Sequence, residues 1–251
     1  MANSPASFAL TPNMEHFIET GGARVWTIRQ GVGPAILLIN GSAASDYLSP
    51  IAEMFEQAYT VIRFEPRGCG RSDWDGQYEM STLFADIEAI REHYGIQQWT
   101  LFGHSMGVNH SLAFAMAHPT AITGVIGLCG GVFVNDRDWH RQYDDGLVAG
   151  GDEIGDLDFR ADDTLLRALN DAWKAYIKRP ELLRDVAQLT MPCVFIGARD
   201  DIRPNWPMQQ LASLIPNGHY VEVTDAGHYP WLTNAIGVNN ALTQASAIIG
   251  T

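Results

Sequence analysis

Short apolar runs alternate along the chain with longer stretches in which apolar residues recur at helical spacing. The central runs are rich in β-branched residues and nearly free of polar positions, which is typical of strands buried on both faces of a parallel sheet. The predicted strands are 15–20, 24–29, 35–39, 60–64, 99–103, 121–129, 193–197 and 219–223. The predicted helices are 47–57, 80–94, 106–117, 163–177, 206–214 and 232–249. This order predicts an α/β fold in which helices flank a mostly parallel sheet, preceded by an opening hairpin.

The alternation of strands and helices stops between residues 131 and 190. Aspartates are frequent there, Gly-Gly pairs interrupt the pattern, and the clearest element is the predicted helix 163–177. A chain of 251 residues is long enough for one large domain with a modest insertion. We therefore predict an α/β core formed by residues 1–130 and 191–251, and a small helical cap formed by residues 131–190.

The charge balance narrows the range of partners. The chain has 16 Lys and Arg against 29 Asp and Glu, so its net charge of −13 repels nucleic acid and anionic lipid. No run approaches the roughly 18 apolar residues that a membrane span needs, and no leader segment is recognisable. We expect a cytoplasmic protein with no nucleic-acid partner and no membrane partner, and the sequence predicts no oligomeric state.

Cysteine usage argues against a metal centre. Cys69, Cys129 and Cys193 are scattered, they are odd in number, and they lack the spacing of a zinc site or of a disulfide framework. This pattern favours a reducing compartment. We therefore expect neither a metal nor another cofactor.

The most informative motif is Gly103-His104-Ser105-Met106-Gly107, a G-x-S-x-G sequence between a predicted strand and a predicted helix. A serine at the tip of such a turn sits in strained backbone, and the two flanking glycines remove side chains that would collide with the neighbouring strand and helix. The motif in this context predicts an exposed nucleophile, Ser105. The alternative is an ordinary helix start that Ser105 caps.

A serine hydroxyl needs a base that takes its proton and a carboxylate that orients the base. His228 and Asp200 both follow predicted strands, and the order Ser, Asp, His along the chain is the one that accompanies this elbow. We predict that Asp200 is the acid and His228 the base. Asp201, next in the sequence, is the alternative acid, and Asp136 is a more remote one.

Acyl transfer also needs hydrogen-bond donors for the oxyanion that forms in the transition state. The backbone N–H of Met106 lies at the start of the predicted helix, where the helix dipole favours negative charge. The second donor is predicted to be the backbone N–H of Ser42, in the turn after the strand 35–39. The alternative for that turn is a plain helix cap.

These residues resemble the α/β-hydrolase superfamily and, within it, the proline iminopeptidase branch. The segments that carry the resemblance are VIRFEPRGCGRS at 61–72, DIEAIREHYGIQQWTLFGHSMG at 86–107, SLAFAMAHP at 111–119, LCGGVFVNDRDWHRQYDDG at 128–146, FIGARDDIRP at 195–204 and DAGHYPW at 225–231. The resemblance implies an α/β-hydrolase fold and the same site residues. It also implies that Phe133 and Tyr143 line the substrate pocket, to which we add His104 because it flanks the nucleophile.

The chemistry implied is hydrolysis of a small ester, lactone, amide or short peptide through an acyl-enzyme, in the manner of a proline iminopeptidase. The alternatives are a carboxylesterase or lactonase and, from a different class, a ligand-binding protein of hydrolase fold without catalysis. Carboxylates crowd the predicted cap and could bind a substrate amine, although charge runs are usually solvated surfaces. They are Asp144, Asp145, Asp152, Glu153, Asp156, Asp158, Asp162 and Asp163.

Overall fold

The computed structural model describes residues 14–42, 44–74, 76, 78–151 and 163–250. Within them, eight strands form one sheet in the order β1-β2-β4-β3-β5-β6-β7-β8. β1 is antiparallel to β2 and β2 to β4, whereas every pair from β4 to β8 is parallel. The strands are β1 (Met14–Thr20), β2 (Ala23–Gly31), β3 (Ala35–Ile39), β4 (Thr60–Phe64), β5 (Trp99–His104), β6 (Ile122–Leu128), β7 (Cys193–Ala198) and β8 (Gly218–Val223). The predicted α/β sheet with its opening hairpin is confirmed.

Helices connect the parallel strands and cover both faces of the sheet. They are α1 (Ser49–Phe55), α2 (Met80–His93), α3 (Met106–Ala117), α4 (Arg137–Val148), α5 (Asp163–Tyr176), α6 (Leu182–Ala187), α7 (Trp206–Leu214), α8 (Pro230–Thr233) and α9 (Ala235–Ile249). One core packs α2, α3, α6 and α7 against the sheet, and a second packs α1 and α9 against the opposite face. Parallel strands buried in this way explain why the central runs are almost entirely apolar.

Three of these helices, α4, α5 and α6, lie between β6 and β7, in the interval for which the sequence predicts a cap. On α5, Leu165, Leu169 and Trp173 recur every four residues and form its buried face. Leu165 and Leu169 pack with Cys69 and Tyr78, which follow β4. The division into an α/β core and a cap, with its boundaries, stays a prediction.

The final helix differs from its prediction. The sequence predicts one helix from 232 to 249, but the structure has the short α8, a break at Asn234, and then α9. Asn234 leaves the helical conformation at φ −142°, and its side chain accepts a hydrogen bond from the Gly237 N–H, so it caps α9. In the described part of the chain, no helix has the length and apolar character of a membrane span.

The parallel strands place several loops at one edge. The carboxyl ends of β3, β5, β6, β7 and β8 lie side by side, and they are followed by Ser42, Ser105, Cys129, Asp201 and His228, respectively. Ligands of open α/β sheets bind at this edge. The sheet therefore gathers residues that lie far apart in sequence.

Candidate active site

Ser105 occupies the turn between β5 and α3 with φ 55° and ψ −123°, a strained conformation for a residue with a side chain. The two glycines of the motif make this turn possible. A Cβ at Gly103 would collide with the Gly107 backbone, and one at Gly107 would collide with the carbonyl oxygen of Ile39 in β3. The close approach predicted for both glycines is present.

The carboxylate in contact with His228 belongs to Asp201. The His228 Nδ1 lies 2.7 Å from Asp201 Oδ2, and both side chains are nearly inaccessible to solvent. Asp200 is exposed at the surface. The expectation that Asp200 orients the imidazole is therefore wrong, and the alternative that the sequence left open, Asp201, has the required geometry.

The turn after β7 decides between the two aspartates. The Asp201 N–H donates to the Ala198 carbonyl across a tight turn, and the Asp200 N–H donates to the Ala226 carbonyl in the loop that carries His228. The turn directs the Asp201 side chain inward and leaves that of Asp200 in solvent. Because Asp200 and Asp201 are adjacent and both follow β7, the sequence could not decide which of them contacts His228.

Asp201 also contacts Arg203. Arg203 Nη1 lies 3.3 Å from Asp201 Oδ1, and the Arg203 backbone N–H donates to the same oxygen at 2.9 Å. Burial by itself would raise the pKa of the Asp201 carboxyl, but the His228 imidazole and the Arg203 guanidinium outweigh it, so the pKa lies below its ordinary value. The carboxylate is therefore ionised at neutral pH and can stabilise a protonated imidazole.

The other imidazole nitrogen of His228, Nε2, forms no hydrogen bond with any of the described residues. The His228 ring lies close to the elbow, because its centroid is 4.8 Å from that of His104, which precedes Ser105 in the sequence. Among the described residues, none forms a hydrogen bond with the Ser105 hydroxyl. Such contacts are often long in the absence of substrate and shorten on binding.

Met106 and Ser42 both lie beside the nucleophile. Met106 is the first residue of α3, so its N–H has no partner within the helix. Ser42 has φ 53°, and the preceding Gly41 packs so closely that a Cβ there would lie 2.6 Å from the Cβ of Ser105. The loop after β3 therefore touches the elbow. The role of both amides as oxyanion donors stays a prediction.

A chain of buried hydrogen bonds joins this loop to the His228 loop. His104 Nε2 lies 2.9 Å from the His228 carbonyl oxygen, which can only accept, so the proton is on Nε2. His104 Nδ1 then accepts from the Tyr47 hydroxyl at 2.7 Å, and Tyr47 accepts from the Gly41 N–H at 2.6 Å. Burial holds the pKa of His104 well below its usual value, so the ring is neutral. We refer to Gly41, Tyr47, His104 and the His228 carbonyl as the buried hydrogen-bond chain.

Ser105 opens into a cavity of about 890 Å³, a size that suits a small organic ligand. Its lining includes Ser105, Met106, Phe133 and Asp201. Phe133 is buried, lines this cavity and packs edge-on against Trp173, and its contact with a substrate stays a prediction. The other two predicted pocket residues do not line the cavity.

His104 and Tyr143 are kept out of the cavity lining by different contacts. His104 is completely buried behind the elbow, in the buried hydrogen-bond chain. Tyr143 lies one layer back, where its ring stacks on Trp139, which does line the cavity, and Arg203 lies over its face at 4.9 Å. Sequence position placed both near the site, but the side chains point into other contacts.

A family model described as the alpha/beta hydrolase fold matches residues 34–169, more than half of the chain. The chain belongs to the α/β-hydrolase superfamily. The predicted resemblance is confirmed, and so is membership of a family of hydrolytic enzymes. The matched region includes the elbow and α1 to α3, the part of this α/β-hydrolase that builds the proposed nucleophile and oxyanion loop.

Known relatives agree with the proline iminopeptidase resemblance over part of this hydrolase. This chain is 38% identical over 98 residues to a proline iminopeptidase of Neisseria gonorrhoeae, and the aligned region covers 37% of this chain and 31% of that protein. It is 30% identical over 124 residues to a proline iminopeptidase of Arabidopsis thaliana, and that aligned region covers 47% of this chain and 32% of the Arabidopsis protein. The chain thus matches about a third of the length of these curated relatives.

A solved carboxylesterase of Bacillus subtilis, CesB, has the same fold as this α/β-hydrolase. The two superpose with a TM-score of 0.71 at 13% identity, covering 94% of this chain and 92% of that one. At such identity the likeness concerns the fold. The eight-stranded sheet and its flanking helices are therefore shared well beyond the matched 34–169 region.

Cys129, Asp201 and His228 are the group in the described part of this hydrolase whose atoms come within 4.8 Å of one another and could hold a metal ion. Burial, then the Asp201 carboxylate, raises the pKa of the Cys129 thiol well above its usual value. A metal would have to displace that proton and break the bond between Asp201 and His228. The group suits proton transfer better than metal binding.

The acidic residues of the predicted cap divide into two sets. Asp144, Asp145 and Asp163 are exposed and do not line the cavity. Asp152, Glu153, Asp156, Asp158 and Asp162 lie outside the described residues. The predicted pairing of these carboxylates with a substrate amine has no support from the first set.

Sequence reasoning missed Tyr47, Arg203 and the cations of the cavity. Tyr47 and Arg203 have no motif, because their partners are distant in sequence or depend on a turn. Lys174 and Lys178 had a signal: they are the two lysines of the chain and lie four residues apart, Lys174 within the predicted helix 163–177 and Lys178 directly after it.

Proposed function

We propose that this α/β-hydrolase is a serine hydrolase that cleaves an ester or amide bond of a small substrate, with Ser105 as nucleophile, His228 as general base and Asp201 as the orienting acid. The observation that carries the proposal is the buried 2.7 Å contact between Asp201 and His228 at the sheet edge that also presents the strained Ser105. The proline iminopeptidase and carboxylesterase relatives support hydrolysis of amides or esters.

In the first half of the reaction, the Ser105 hydroxyl gives its proton to His228 Nε2 while its oxygen bonds to the acyl carbon. The carbonyl electrons move to oxygen, and the N–H groups of Met106 and Ser42 stabilise the oxyanion, each contributing about 3 kcal/mol. Collapse of this intermediate breaks the bond to the leaving group, which takes the proton from His228. The acyl-enzyme remains on Ser105.

In the second half, water gives a proton to His228 and attacks the acyl carbon. The new oxyanion collapses, the acid product leaves, and Ser105 recovers its proton. The Asp201 carboxylate stabilises the imidazolium in both halves, because it remains ionised. No cofactor takes part in this scheme.

The adjacent aspartates provide a matched pair of variants. We expect Ser105→Ala and His228→Ala to lose most of the activity toward 4-nitrophenyl butyrate, and Asp201→Asn to lower kcat by about 10⁴-fold through loss of the correct imidazole tautomer. Asp200 is one residue away and exposed, so the kcat of the Asp200→Asn protein should remain close to that of the unmodified protein. Equal or reversed effects of the two substitutions would overturn the assignment of the acid.

A phosphonate that reacts with activated serines separates an enzyme from a binding protein. Mass spectrometry should find one adduct per chain, on Ser105, and none on the His228→Ala protein. Comparison of prolyl-naphthylamide with the nitrophenyl ester then separates peptidase from esterase activity. An intact protein that neither takes up the phosphonate nor releases nitrophenol would refute the catalytic proposal and favour the binding protein.

A further inference from the structure

The cavity has a charge that is opposite to that of the protein. The chain has 29 acidic against 16 basic residues. Yet the charged residues that line the cavity, within the described ranges, are Lys174, Lys178, Arg179, Arg203 and Asp201. Both lysines of the chain are in that set.

The single carboxylate in this set is already engaged. Asp201 accepts from His228 at 2.7 Å and from Arg203 at 3.3 Å. It offers no charge to balance the cations on the cap side. Lys174, Lys178 and Arg179, which we call the cationic rim, therefore make the cavity attractive to an anion.

The rim cations have few partners of their own. Neither lysine forms an ion pair with a carboxylate of the described residues, and both side chains are exposed. Arg179 lies over the Tyr176 ring at 4.2 Å, and its Nη2 forms an ion pair with Asp185 Oδ2 at 3.6 Å. Asp185 therefore partly balances Arg179, whereas no carboxylate of the described residues balances the two lysines.

Large apolar side chains form part of the cavity wall. Phe133, Trp173, Leu182 and Met208 are all buried side chains that line the cavity. A fitting ligand therefore combines an apolar part with a charged group. An ammonium group would meet like charge at the rim, which costs affinity.

We propose that the substrate carries a carboxylate several bonds away from the scissile ester or amide, and that the cationic rim binds this carboxylate. The inference rests on the proposed serine hydrolase function and names its substrate class. The carboxylate fits because it pairs with either exposed ammonium group, next to the positively charged guanidinium of Arg179. The rim also steers an anion into the site of a protein that otherwise repels it.

The test uses two esters that differ in one charge. Mono-4-nitrophenyl glutarate has a free carboxylate, and the same ester capped as a methyl ester has none. We expect the protein to favour the free acid in kcat/KM, and the Lys174→Gln/Lys178→Gln protein to lose about tenfold of that preference, as for two partly exposed ion pairs. Raising the ionic strength should reduce the preference of the unmodified protein in the same direction.

A matched control carries the same change of net charge elsewhere. Arg29 in β2 and Arg167 in α5 are exposed and do not line the cavity. Arg29→Gln/Arg167→Gln should keep the preference for the free acid. If this control loses the preference as fully as the lysine variant, the rim is not the cause and the inference is overturned.

A binding measurement keeps the inference independent of catalysis. Calorimetric titration of the Ser105→Ala protein should show tighter binding of monomethyl glutarate than of dimethyl glutarate, and loss of that difference in the lysine variant. Hydrolysis of the capped ester without any preference for the acid would refute the inference and leave the proposed function intact. Binding of the acid without hydrolysis of either ester would support the inference and refute the proposed function.

Discussion

Tyr47→Phe removes one oxygen atom from the buried hydrogen-bond chain and keeps the ring. The Tyr47 ring is stacked on Trp231, with centroids 6.2 Å apart and planes at 16°, so its packing should survive. The Gly41 N–H and His104 Nδ1 lose their 2.6 Å and 2.7 Å partner. The substitution thus leaves one donor and one acceptor unpaired in a buried setting.

Each unpaired buried group costs about 1 to 3 kcal/mol, so the free energy of unfolding should fall by about 3 kcal/mol after some relaxation. For a chain of this length, that is about 6 to 12 °C in Tm. Gly41 precedes Ser42, one proposed oxyanion donor, so kcat should also fall while KM changes little. Urea unfolding and ester kinetics measure both effects.

Tyr59→Phe is the matched control, because Tyr59 is buried against Phe55 and its hydroxyl has no hydrogen bond to any described residue. We expect this variant to unfold close to the urea midpoint of the unmodified protein. If Tyr47→Phe unfolds at that same midpoint with unchanged kcat, the buried hydrogen-bond chain contributes nothing and the reasoning fails.

Three further outcomes follow from buried groups. Burial lowers the pKa of His104 and lowers that of His110 to about 4. As the pH falls below the ordinary pKa of histidine, these two rings are therefore protonated in the unfolded chain before they are protonated in the folded protein. The free energy of unfolding should then fall by up to about 1.4 kcal/mol per pH unit for each ring between pH 6.5 and 5, and His110→Leu should lessen that slope in urea titrations. Asp86→Ala removes the carboxylate that pairs with the buried Arg67 guanidinium at 2.8 Å, and should lower the free energy of unfolding by about 3 to 5 kcal/mol in urea unfolding. Gly107→Ala brings a methyl group into a strand carbonyl and should abolish soluble expression, which a yield equal to that of the unmodified protein would contradict.

The elements that the sequence predicted well are those whose pattern is local. β3, β4 and β7 are runs of four to six buried residues, and α3 begins at Met106 as predicted because the strained serine precedes it. The break at Asn234 was missed because the apolar pattern continues through it. At Asn234 the side chain accepts a hydrogen bond from the Gly237 N–H and caps a new helix, although the apolar residues continue at helical spacing.

The site residues that belong to a recognisable sequence motif could be predicted, whereas those that depend on the three-dimensional arrangement of the chain could not. Ser105 and His228 follow strands in a recognisable order, whereas the choice of Asp201 over Asp200 depends on how one turn is closed. The buried hydrogen-bond chain joins residues 41, 47, 104 and 228, so no window of sequence contains it. The cavity charge likewise emerges only when α5 is placed over the sheet edge.

The position of the two lysines has a practical consequence for handling the protein. Lys174 and Lys178 carry all the side-chain amines of the chain, and both stand at the cavity. Amine-reactive dyes, crosslinkers and sensor-chip coupling will therefore modify side chains that line the cavity. Immobilisation through another chemistry leaves these side chains unmodified, and a fluorophore placed on one of them on purpose becomes a reporter of cavity occupancy.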